Sequence, residues 1–161
     1  MNDFTYSLIR SFNQYINGSN HLAMGTDEQL ILNPKPGHKD LDRDTISVEF
    51  YDSLSEDYFG RSVGTTTGRK VNLWCQVDVL SPPNNSGEPR AGACRKLKDK
   101  YEQVWKSTLR FPVLLWDGTG GTAIERYAYI RQLSAAPRPM DDMEGWSGWR
   151  LDYKLWCIDT G

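Results

Sequence analysis

Asp40, Asp42 and Asp44 stand at the alternate positions that open a calcium-binding loop. Such a loop needs Gly at its sixth position for the sharp turn and a bidentate Glu at its twelfth. Here those positions hold Thr45 and Tyr51, so the segment reads as a solvated loop whose last Asp caps the next strand. "GRSVGTTTGRK", residues 60–70, has enough glycine to cradle a phosphate. It lacks the GxxxxGK[ST] spacing, and no helix follows it to offer an N-terminus. It reads as a hairpin tip, as does "DGTGG" at 117–121. Asp141, Asp142 and Glu144 group carboxylates of the kind that acid–base or metal chemistry uses. No His lies near them in sequence. Both His residues, His21 and His38, fall in loop-like stretches, and nothing puts either beside a nucleophile, as a Ser or Cys triad requires. The expectation is a protein without catalytic residues, cofactor or metal.

The totals bound the rest. With 161 residues the chain reads as one domain, 1–161, long enough to bury a core without staples. Aromatics make up 12% and Trp numbers 6, which argues against disorder. A net charge of −2 with both signs interspersed is not the basic excess of a dedicated nucleic-acid binder. Cys75, Cys94 and Cys157 are odd in number and have no CxxC spacing, so they read as buried free thiols of a reducing compartment. The start, "MNDFTYSLIRSF", does not have the form of a signal peptide, and no run approaches about 18 apolar residues, so no membrane partner is expected.

The elements follow from periodicity. Phe4, Leu8, Phe12, Tyr15 and Ile16 have helical spacing over residues 3–16, ended by Asn17-Gly18. "EQLILN", 28–33, reads as a short strand and "TISVEFY", 45–51, as an alternating one. Residues 52–70 read as a long loop carrying Tyr58 and Phe59. "VNLWCQVDVLS", 71–81, sets Val71, Leu73, Cys75, Val77 and Val79 against Asn72, Trp74, Gln76 and Asp78. Residues 90–109 are helical: Ala91, Cys94, Leu97, Tyr101, Val104, Trp105 and Thr108 form the apolar stripe. Arg95, Lys96, Lys98 and Lys100, diluted by Asp99 and Glu102, form the wet side. Strands over 111–117 and 123–133 follow, then a second long loop, 134–148. The last strand, "WRLDYKLWCI", alternates over 149–158. The fold class is α+β: a mostly antiparallel mixed sheet with two helices packed on one face.

That arrangement leaves the other sheet face uncovered. Glu49, Asn72, Gln76, Asp78, Arg126, Arg150, Asp152 and Lys154 would make it polar, with Trp74 and Trp156 embedded in it. In the loop after 133, Trp146 sits near Arg138, Met140 and Met143. Trp, Met and Arg are enriched at protein interfaces. Trp74, Trp156, Arg150, Lys154, Tyr58, Phe59, Arg138, Met140 and Trp146 are therefore the candidate interface residues.

With "VNLWCQVDVLSPP", "AGACRKLKDKYEQVWKSTL", "YAYIRQL" and "WRLDYKLWCI" in this order after a leading helix and a strand pair, the chain resembles the tail-terminator (tail-completion, neck) proteins of tailed bacteriophages. The resemblance rests on element order and length and carries no catalytic residues. It implies a small cytosolic α+β subunit that joins the virion at its neck as a homo-oligomeric, hexameric ring. The ring would end tail-tube polymerisation and meet the head connector, and DNA would pass it only non-specifically. Glu49, Asp78 and Asp152 are then the candidates for acids that face the channel and repel phosphates. The alternatives are another neck or connector protein, a small glycan- or ligand-binding module using exposed Trp, and, more weakly, a hydrolase built on His38 and the acidic loop.

Overall fold

The computed structural model of the chain describes residues 3–18, 22–32, 42–59, 68–106, 110–116, 121–141 and 143–159. Helix α1 spans Asp3–Asn13 and runs into a π-helical turn, Gln14–Gly18. Strands β1, Glu28–Leu32, β2, Asp44–Phe59, and β3, Gly68–Ser81, come next. Helix α2 spans Ala91–Lys106, followed by β4, Arg110–Trp116, β5, Gly121–Pro137, and β6, Ser147–Asp159.

All six strands join one sheet in the order β1-β2-β3-β6-β5-β4. β1 lies parallel to β2, and every other pair is antiparallel. Strict alternation fixes this register, because a slip of one residue would turn each core side chain to water. Val77 faces Leu151, Cys75 faces Tyr153 and Leu73 faces Leu155 across the β3–β6 pair, and all six are buried. Both helices cover this face. Cys94, Leu97, Tyr101 and Trp105 of α2 join Leu8, Phe12 and Ile16 of the first helical segment in one core with the strand residues. The Phe12 ring stacks on Trp105 at 5.2 Å and meets Phe111 of β4 edge-on at 5.8 Å. The α+β architecture with both helices on one face is thus the observed one.

β1 is clipped at both levels. Gln29 Nε2 donates to Thr45 Oγ1 at 2.8 Å, and the Thr45 hydroxyl donates to the Arg43 carbonyl at 2.9 Å. Lys100 Nζ of α2 reaches Glu28 at 2.8 Å and ties the edge strand to the helix layer.

Three expectations need correction. Residues 52–70 are not one loop: β2 continues to Phe59 and β3 starts at Gly68, with Asp57 opposite Lys70 and Phe59 opposite Gly68. A paired neighbour carries a polar segment as strand despite its weak local preference. Residues 60–67 lie outside the described residues. The loop expected over 134–148 shrinks to 138–146, because Ala135, Ala136 and Pro137 pair with Leu151, Arg150 and Trp149. Asn72 keeps its register on the uncovered face, directly across from Trp156, yet it is only 3% exposed.

Candidate interface on the open sheet face

The register assembles the uncovered face row by row. Tyr51 lies opposite Trp74, Trp74 opposite Lys154, and Lys154 opposite Arg131. One row further, Asn72 faces Trp156 and Trp156 faces Tyr129. Direct and diagonal neighbours on one sheet face touch, so these residues form a band across four strands. The Tyr129 and Trp156 rings stack at 5.7 Å with an interplanar angle of 20°. Lys154 Nζ stands over the Trp74 ring at 5.7 Å, and the Arg110 guanidinium over Tyr127 at 4.3 Å.

The band is apolar and solvent-facing together. Tyr51 is 44% exposed, Trp74 40%, Tyr127 45% and Leu133 46%. Leu133 continues the exposed alternation of Tyr127, Tyr129 and Arg131 and lies at the β5 bulge between Gln132 and Ser134. Tyr51, Trp74, Gln76, Leu133, Ser134 and Asp152 wall an open cleft of about 370 Å³ on this face. A second cleft, about 380 Å³, opens where β4 no longer covers β5. Trp105, Ile130, Tyr129 and Trp156 line it.

Charge is concentrated at one end of the band. Arg150 Nε donates to Asp78 Oδ1 at 3.1 Å, and Arg138 Nε lies 3.9 Å from the other carboxylate oxygen. The hydrogen bond to Asp78 raises the Arg150 pKa above its ordinary value, against the opposing effect of burial. Gln76, its amide oriented by the hydrogen-bonding network, accepts from Arg150 Nη2 at 3.1 Å. Ser134 Oγ donates to Asp152 at 2.7 Å, and Tyr51 Oη donates to Glu49 at 3.2 Å. Burial, reinforced by the Glu49 charge, raises the Tyr51 hydroxyl pKa.

Of the residues singled out from sequence, the structure brings Trp74, Trp156, Arg150 and Lys154 together here, with Glu49, Asp78 and Asp152. Asp78 is held by two guanidiniums rather than standing as a bare charge. Met140 and Trp146 gather elsewhere, around a groove at the end of the sheet, and Arg138 lines that groove while its Nε lies 3.9 Å from Asp78. Tyr58 and Phe59 fall in the backbone of β2, and their side chains lie outside the described set, as does that of Arg126. Sequence reasoning missed Tyr51, Tyr127, Tyr129 and Leu133. A signal existed for two of them: Tyr127, Tyr129 and Arg131 alternate in "RYAYIRQ".

The chemistry weighed from sequence does not assemble among the described residues. Asp42 pairs with Arg43 and Asp44 with Arg90, while Asp40, Asp142, His21 and His38 lie outside the described residues. No group of three or more His, Cys, Asp or Glu gathers there in metal-binding geometry. No described helix is long and apolar enough to cross a membrane.

No protein-family model matches the sequence, and no curated protein matches it. Significant structural matches number 26 chains. One is a chain from the virion of a native gene transfer agent particle. It shares 15% identity, the match covers 100% of both chains, and the TM-score is 0.49.

Proposed function

We propose that this chain is a structural assembly protein of a tailed, phage-like virion. It closes into a ring of six copies, in line with the family resemblance of its sequence, at the head-proximal end of the tail tube. There it ends tube polymerisation and presents a surface to the head connector. The observation that carries the reading is the exposed aromatic band on the open sheet face, from Tyr51 and Trp74 to Trp156, Tyr129 and Tyr127. Monomeric proteins keep apolar patches of this kind small. Flanked by Lys154, Arg150 and Asp152, the band keeps a free subunit soluble and buries aromatic area on assembly.

A closed ring needs two different patches, each meeting the other on the neighbouring subunit. A standard interface buries roughly 1,200–2,000 Å² in total, and two Trp with several Tyr supply much of its apolar part. In such a ring Glu49 is the candidate channel-facing acid, because Asp152 lies among the residues that the interface buries. Asp78 is neutralised by Arg150 and Arg138 and repels phosphate least.

The test is the mass of the purified chain by light scattering across concentration, with imaging of the same sample, alone and with isolated tail tubes. A species near six times 18.4 kDa with a central channel is expected. Trp74→Ala and Trp156→Ala are expected to abolish assembly while keeping the circular-dichroism spectrum. Assembly unchanged in both variants would remove the open face as the interface.

A second reading has one observation in its favour. The 370 Å³ cleft sets Trp74 and Tyr51 beside Gln76 and Asp152, and aromatic platforms next to polar groups also suit sugars. Quenching of Trp fluorescence by a sugar panel at constant mass would select that reading over assembly.

A further inference from the structure

A groove of about 620 Å³ lies at the end of the sheet, on the helix side, between the first turn of α2, the facing ends of β5 and β6, and the loop 138–146. We propose that it is a docking site for an acidic segment of a partner protein. The inference does not depend on ring formation, because the groove is separate from the aromatic band.

The groove is built rather than incidental. The Arg138 N–H donates to the Gly148 carbonyl at 2.9 Å, and two turn bonds, Met143 to Met140 and Trp146 to Met143, fold the loop back on itself. Gly145, with φ +78°, seats the loop against the neighbouring turn: a Cβ there would stand 3.1 Å from both the Gly87 carbonyl and Pro83. At Gly148 a Cβ would come within 2.7 Å of Met140 Sδ and 3.2 Å of Arg138 Cβ. A side chain at 148 would have to displace the Met140 thioether from its present place in the wall.

The described walls have one sign of charge. Arg95 and Arg138 are the ionised groups among the described residues that line the groove, and no described carboxylate lines it; Asp142 of the same loop lies outside the described residues. Asp141 and Glu144 of the same loop are exposed and form no part of the walls. Arg95 is exposed, lies 5.8 Å from the centre of the Trp149 ring, and makes no ion pair among the described residues. Among the described residues Arg138 has only the long contact to Asp78, whose other oxygen Arg150 holds. Both guanidiniums therefore keep donors for an incoming carboxylate, the geometry Arg recognises best. Trp146, Trp149 and Met140 supply an apolar surface beside them. The volume falls within the range of binding pockets and admits a few side chains of an extended segment.

Charge also selects the kind of partner. Of the neighbouring cations on α2, Lys98 is paired with Asp99 and Glu102, Lys100 with Glu28, and Arg90, just before the helix, with Asp44. A nucleic-acid backbone needs a continuous basic track. Lys96, beside Arg95, is exposed and makes no ion pair among the described residues, and Lys98 Nζ stands 4.5 Å over the Trp149 ring, so the cations form a short cluster rather than a track. Guanidiniums flanked by aromatics fit a carboxylate next to an apolar side chain.

The experiment uses the full chain and a displayed library of random peptides about twelve residues long. Enriched sequences are synthesised and titrated calorimetrically. Acidic residues next to apolar ones are expected to be enriched. Arg95→Gln and Arg138→Gln are each expected to weaken binding about tenfold or more. Arg95→Glu is expected to shift preference toward the Lys-substituted form of the same peptide. Arg95 is exposed, so its variants test the site without disturbing the core, and thermal melts check this. Enrichment without carboxylates, no enrichment, affinity unchanged in both Gln variants, or tighter binding of a single-stranded oligonucleotide would each overturn the proposal. None of these outcomes depends on whether the chain forms rings.

Discussion

At the scale of single residues, Tyr153 joins a well-packed ring to a polar group with nothing to bond. Its side chain is buried, its ring meets Tyr101 edge-on at 5.7 Å, and its hydroxyl has no hydrogen-bond partner among the described residues. Burial drives the hydroxyl pKa far upward. A buried, unpaired hydroxyl costs about 1–3 kcal/mol, and removing it leaves the packing in place. Tyr153→Phe is therefore expected to leave the melting temperature unchanged or raise it. A clear fall would mean that the hydroxyl is satisfied in solution. The position of Tyr153 was legible in "WRLDYKLWCI", because period two puts it on the buried side with Leu151 and Leu155. Its lack of a partner was not, since that depends on which α2 residues pack above it. Asn72 shows the converse limit: alternation gives its face correctly, yet the residue is buried there, which its own strand does not signal.

At the scale of elements, what the sequence disclosed depended on whether an element carries its own pattern. The α2 stripe Cys94, Leu97, Tyr101 and Trp105 and the alternation of β3 and β6 are local, and they match the core. The ends of β2 and β5 have no local pattern. "SEDYF" and "SAAP" are strand because a neighbour offers ladder bonds, so their local sequence reads as loop. The aromatic band was half legible for the same reason. Trp74 and Trp156 announce themselves within their strands, whereas the Tyr129–Trp156 stack depends on the pairing of β5 with β6. The loop 138–146 is set by one residue of unusual backbone, Gly145 at φ +78°. Gly145→Ala forces a side chain into the left-handed region and against the Gly87 carbonyl and Pro83. A loss of about 1–2 kcal/mol is expected, read as a lower denaturant midpoint with an unchanged slope. An unaltered midpoint would mean that the loop and the turn below it do not hold each other.

At the scale of the whole molecule, the two layers are joined at the sheet's edge by Lys100 and Glu28. Burial works against ionisation of Glu28, but hydrogen bonds from Lys100 and from the Gly25 N–H outweigh it and hold its pKa below the ordinary 4.5. A carboxylate with a depressed folded pKa stabilises the fold above its unfolded value and loses that effect as the pH falls through the folded one. Because the pair is largely solvated, its worth is at most about 1 kcal/mol. Glu28→Gln is expected to melt below the parent at pH 7, with the gap closing under acid. A gap independent of pH would assign the loss to packing. The strand order has a consequence for synthesis. β6 is the last of the six strands to be made, yet it sits between β3 and β5. Until residues 147–159 leave the ribosome, β3 has no neighbour on that side and β5 has only β4. The nascent chain then holds two partial sheets with exposed inner edges, and each such edge is a template for pairing with another chain. Productive folding is therefore confined to the moments after translation passes β6, and the contacts it must close are distant ones, which form slowly. Slowing elongation upstream of β6 would lengthen that exposure, whereas speeding it would shorten the time in which neighbouring nascent chains can pair.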